Sequence, residues 1–168
     1  EEGHRVLALS DGTLILWSLE GKPQDFKETY LQEFMESFER LRQARIPVVG
    51  YISRPGSQDL VNALKLNLCP LEVADCDRCP WKGEKQFGSA AEKIESLPAD
   101  SGQGLPCGPL EGLSDAVLMR QLLKVGERTP LFKSSSIILD SYGPHFIYFF
   151  YLHVGAEIAL VELPEWVA

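Results

Sequence analysis

The sequence predicts an α/β fold, a mixed sheet flanked by helices. Three observations predict it. Apolar runs of strand length stand near both ends of the chain. Segments with a helical period lie between them. The order reads strand, strand, helix, strand, helix, loop, helix, strand, strand, which indicates helices packed on a mixed sheet.

Residues 5–10 and 13–18 flank Asp11-Gly12, and positions 6–9 and 14–17 are continuously apolar. Strands buried on both faces read that way, so a hairpin in a covered sheet is expected. Gly21-Lys22-Pro23 breaks the chain. From 24 to about 45, Tyr30, Phe34, Phe38 and Leu41 recur at helical spacing among charged residues, which predicts one long helix ending before Pro47. Residues 48–53 form a short buried strand, and Arg54-Pro55-Gly56-Ser57 a turn. Ser57 or Gln58 starts a helix to about 68, with Val61, Leu64 and Leu68 on one face. Ser114 is a fitting N-cap for a further helix carrying Leu118, Met119, Leu122 and Leu123, and Gly126 follows it as a C′ residue. Two strands, 145–153 and 156–163, close the order, the second alternating apolar and other residues.

Residues 69–112 differ. They hold all four cysteines and five of the eleven prolines, without a sustained period. They read as an insertion loop inside a single domain spanning 1–168, one that is a partial piece of a longer chain. No run of about 18 apolar residues exists, so no membrane span is expected. No secretion signal opens the chain, and a cytoplasmic setting is expected. The net charge of −8 argues against non-specific coating of nucleic acid. It leaves room for a nuclease, whose site gathers carboxylates around cations while local Arg and Lys hold phosphates.

Asp11 has two readings. Asp-Gly between apolar runs is a strong signal for a type I′ turn. The residues alone favour that turn; against it, a carboxylate at the end of apolar segments is costly to bury unless it is paired or holds a metal, and Gly12 leaves the backbone open to close approach.

Beyond these local readings, Ser10-Asp11-Gly12-Thr13-Leu14 resembles the Asp-Gly-Ser/Thr-Leu motif of NurA-domain nucleases. Other segments agree in order. Gly50-Tyr51-Ile52-Ser53-Arg54 resembles the family's Gly-x-Ser-Lys/Arg strand end. Asp115, then Gly126-Glu127-Arg128-Thr129 and Phe132, resembles its helix and exit. Phe149-Phe150-Tyr151-Leu152, Val161-Glu162 and Pro164-x-Trp166 resemble its late strand pair. The insertion is most similar to that of the cyanobacterial-type members.

The resemblance implies an RNase H-like fold and hydrolysis of DNA ends with Mn2+ or Mg2+ in double-strand-break repair. It also implies a homodimer and a HerA-type hexameric translocase as partners. Asp11 is then a catalytic metal ligand. The family's first metal-binding Asp, a second acid and a late His have no counterpart in this chain. Leu160 stands where many members have Arg, which puts a DNA contact there in doubt.

Ser53 and Arg54 end a core strand, where ligands meet open α/β sheets. Arg54 either holds a DNA phosphate or is a solvated turn residue. Arg128 either reaches DNA or pairs with an acid, and Tyr51 either contacts DNA or fills the core. Asp115 is expected to cap its own helix, and Glu162 to be structural or a dimer contact. Cys69, Cys76, Cys79 and Cys107 include one C-x2-C pair and suit a structural zinc, ahead of an iron–sulfur cluster, with unligated thiols as the plain alternative. A non-catalytic DNA-end-binding or assembly module is the competing function.

Overall fold

Five strands make one sheet in the order β1-β2-β5-β4-β3. They are β1 (Ala8–Asp11), β2 (Val48–Ser53), β3 (Phe132–Lys133), β4 (Ile147–His153) and β5 (Ile158–Pro164), with helices α1 (Gln24–Gln43), α2 (Asp59–Leu68) and α3 (Asp115–Leu122). The computed structural model describes residues 6–19, 21–71, 74–76 and 107–168. β1 and β2 are parallel, and the other pairings are antiparallel. The sheet is therefore mixed, as expected. The chain divides into two compact units, Glu1–Gly56 with Met119–Ala168 and Ser57–Leu118.

In the first unit, α1 covers one face of the sheet. Leu31 and Phe38 enter a core with Leu14, Ile15, Leu19, Val48, Leu139, Tyr142 and Ile147. The helical period was legible, but its phase is one residue off at Tyr30, which is 51% exposed and stacks on Phe26 at 4.5 Å. Leu31 takes the core position. β5 is central, flanked by β2 and β4, and is buried along most of its length. The expected alternation is absent because both of its faces are covered.

The expected hairpin does not form. Among the described residues, β1 pairs with β2 alone and lies at the sheet edge. Its neighbours Val6 and Leu7, and Leu9 within it, are exposed. Gly12, at φ +122°, turns the chain out of the ladder. The next residues make no strand, and Trp17–Leu19 is a 3-10 turn. Leu14 and Ile15 are nevertheless buried. The apolar run encodes this burial, while side chains satisfy its backbone groups.

Two elements went unread. β3 pairs with β4, and residues 126–129 extend that edge: Gly126 N–H donates to His153 O at 2.8 Å and Thr129 N–H to Tyr151 O at 3.0 Å. A 3-10 helix, Ile137–Tyr142, brings Tyr142 into the core.

In the second unit, α2 buries Val61 fully, whereas Leu64 and Leu68 are exposed. Asp115 lies in the first turn of α3, and its side chain reaches the start of α2. Its Oδ1 accepts from Val61 N–H at 2.8 Å and its Oδ2 from Leu60 N–H at 3.2 Å. These are free donors at the start of α2. Asp115 is 0% exposed, so this is a buried cap made across 54 residues of chain. Ser114 accepts weakly from Val117 N–H at 3.4 Å. Among the described residues, no helix is long and apolar enough to cross a membrane.

Candidate functional site

Asp11 is the last residue of β1, beside Tyr51 in the parallel ladder. Alternation along the strands puts Asp11 and Tyr51 on one face, with Gly50 and Val48 on the face that meets α1. The Asp11 carboxylate is exposed. It makes no hydrogen bond or ion pair with another described residue. The expectation of a carboxylate buried near the sheet core is thus corrected: β1 is an edge strand, and its end opens to solvent.

The turn after Asp11 is held from three directions. Gly12 N–H donates to Tyr51 O at 3.0 Å, continuing the ladder. Thr13 Oγ1 donates to Glu162 Oε2 at 2.8 Å, and Leu14 N–H donates to the same oxygen at 2.6 Å. Thr13 Oγ1 also accepts from Ile15 N–H at 2.9 Å. Tyr142 OH accepts from Leu16 N–H at 2.8 Å and donates to Leu14 O at 3.0 Å. Burial pushes the Tyr142 phenol up to about 12. Burial likewise raises the Glu162 carboxyl, and the bonds from Leu14 and Thr13 pull it back down.

Gly50 makes this crossing sterically possible. A Cβ there would stand 2.8 Å from Gly12 O and 2.9 Å from Leu14 Cγ. A backbone oxygen has little freedom to retreat. Gly50→Ala is therefore expected to cost about 1–3 kcal/mol, as overpacked sites do. Thermal unfolding of the variant checks this, and an unchanged midpoint would contradict the packing argument.

Ser53 ends β2 and is exposed. Arg54 follows at φ +51°, a left-handed conformation uncommon for a side chain with a Cβ. Its Nε lies 3.6 Å from Glu157 Oε2, with 89% of the side chain exposed. Such a surface pair contributes little and leaves the guanidinium open to other anions. Tyr51 OH donates to Glu157 Oε1 at 3.2 Å, and burial followed by that bond raises the phenol above its usual range. Glu157 thus ties Tyr51 to Arg54.

Arg128 bridges to Leu152, which pairs with Ala159, which pairs with Ser53. Arg128 and Ser53 therefore share a row, three strand spacings or about 14 Å apart. Arg128 pairs with no acid among the described residues. Its Nη1 donates to Thr129 O at 2.7 Å, and its guanidinium lies 5.3 Å from the Phe150 ring centre. The structure gathers Asp11, Tyr51, Ser53 and Arg54 at one end of neighbouring strands and sets Arg128 apart along the same end.

The sequence also matches the NurA domain over residues 1–168. The chain belongs to the NurA domain family. Membership in the NurA family implies a nuclease-type role in DNA-end processing. No curated protein and no solved structure matches the chain.

An exposed, uncommitted carboxylate oxygen fits one position in the oxygen coordination of a hard divalent cation. Among the described residues, no group of three or more His, Cys, Asp and Glu side chains is placed to hold a metal ion. Asp11 accordingly fits as one ligand of a set that the described residues do not complete. Among the described residues, Cys69, Cys76 and Cys107 form no disulfide, and Cys79 lies outside the described residues. The sequence left Glu162 as structural or a dimer contact and did not point to its partners. The one available signal was an acid inside an apolar strand, which requires hydrogen-bond donors when buried.

Proposed function

We propose that this NurA-domain chain contributes to a divalent-metal-dependent nuclease that processes DNA ends during double-strand-break repair, on an RNase H-like arrangement of its mixed sheet. The observation that carries the reading is the exposed Asp11 carboxylate at the end of β1, beside the ends of β2.

In this reading Asp11 supplies one oxygen ligand to Mn2+ or Mg2+. The chemistry such an ion would supply when bound is polarisation of the scissile phosphate and a lowered pKa of water. Arg54, oriented by Glu157, holds a phosphate of the DNA backbone. Ser53 and Tyr51 line the same strand ends, and Arg128 meets the strand farther along the sheet. The remaining metal ligands come from outside the described residues. A homodimer and a HerA-type hexameric translocase are the proposed partners.

The test is cleavage of end-labelled DNA by the full-length protein. Chelator is expected to abolish cutting and added Mn2+ to restore it. Cutting that persists after thorough chelation would contradict metal dependence. Binding of DNA ends without cutting, with Mn2+ and the translocase present, would instead favour a non-catalytic end-binding or assembly module.

A further inference from the structure

Glu162 is only 4% exposed. It sits on β5, between Gly50 of β2 and Phe149 of β4. A buried carboxylate in mid-sheet is costly unless it is satisfied. Its Oε2 is satisfied by two donors from a single short segment, the Thr13 hydroxyl and the Leu14 N–H, about 150 residues away in sequence. Both donors follow directly after Asp11-Gly12. They bind at the point where the absence of a Cβ at Gly50 lets the chain cross the sheet.

Asp11 is thus bracketed. Before it, the β1–β2 ladder fixes the backbone through Tyr51. After it, Gly12 takes a conformation with no steric preference of its own toward one path, so the exit direction must be fixed from elsewhere. The Glu162 contacts fix it, and charge-assisted bonds of this length are among the stronger ones. A ligand carboxylate on an otherwise open edge strand needs such support, because a cation tolerates little misplacement of its oxygens.

We propose that Glu162, acting through Thr13 and Leu14, is a positioning residue for Asp11. Its carboxylate straps down the exit of β1 and so sets where the Asp11 oxygens stand. This role rests on the metal-ligand reading of Asp11. Glu162 touches neither the substrate nor the cation.

The test is a Mn2+ titration of the full-length protein, followed by electron paramagnetic resonance well below the unfolding temperature. It compares wild type with Thr13→Ala, Thr13→Ser and Glu162→Gln. Thr13 is exposed, so its variants are expected to fold even where a change at buried Glu162 does not. Thr13→Ala is expected to weaken Mn2+ binding by about 10–100-fold, the usual range for a lost supporting hydrogen bond. Thr13→Ser, which keeps the hydroxyl, is expected to restore it. Glu162→Gln retains an oxygen acceptor without the charge and is expected to fall between them. If wild type binds Mn2+ and Thr13→Ala binds it equally well, the strap is overturned while Asp11 stands as ligand. If wild type binds no Mn2+, the metal-ligand reading fails and takes the strap with it.

Discussion

Asp115→Ala is expected to destabilise α2 by about 3 kcal/mol. The Leu60 and Val61 N–H groups lose their acceptors. A buried donor left unpaired costs about 1–3 kcal/mol, and Val61 N–H, the buried one of the two, carries most of the loss. The bonds are strong because an anion makes them at a helix start. Solvent cannot readily substitute, because Asp115 and Val61 are both fully buried. Asp115→Asn should lie between the two, since each N–H uses a different oxygen and the amide keeps only one of them. Hydrogen exchange along α2, with denaturant unfolding beside it, reads the series. Protection in α2 that is unchanged by Asp115→Ala would contradict the long-range cap.

Asp115 also shows where sequence reading stops. Its place beside Ser114 suggested a cap on its own helix, the local choice. The donors it binds lie 54 residues earlier, and no local pattern connects them. The same limit explains the lost hairpin. Residues 14–17 carry the apolar run of a strand, yet their backbone is satisfied by Glu162, Thr13 and Tyr142. Elements governed by local rules were legible. β2 occupies the expected residues because an apolar run after Pro47 leaves few alternatives. α1 follows its period from Pro23 to the residues before Pro47. The sheet order was beyond local rules, and with it the exposed position of β1 and the open setting of Asp11. The candidate site was legible mainly as a family resemblance. The chemistry of Asp-Gly alone is shared by ordinary turns, whereas the ordered set of segments is not.

The second large effect concerns Asp11 itself. Asp11→Asn keeps the size and planarity of the side chain and removes one anionic oxygen. The carboxylate is exposed and bonds to no other described residue, so the fold should lose little. Surface changes away from such contacts stay within about 0.5 kcal/mol. Catalysis should lose much more. A metal site contributes several kcal/mol of transition-state stabilisation, and losing about 4 kcal/mol is about a thousandfold in rate. The decisive measurement is single-turnover cleavage of end-labelled DNA at saturating Mn2+ by the full-length protein and its Asp11→Asn variant, with unfolding curves recorded for both. Matching unfolding curves and a cleavage rate about a thousandfold lower in the variant are expected. Equal rates from the two proteins would make Asp11 an ordinary turn residue and contradict its assignment as a metal ligand.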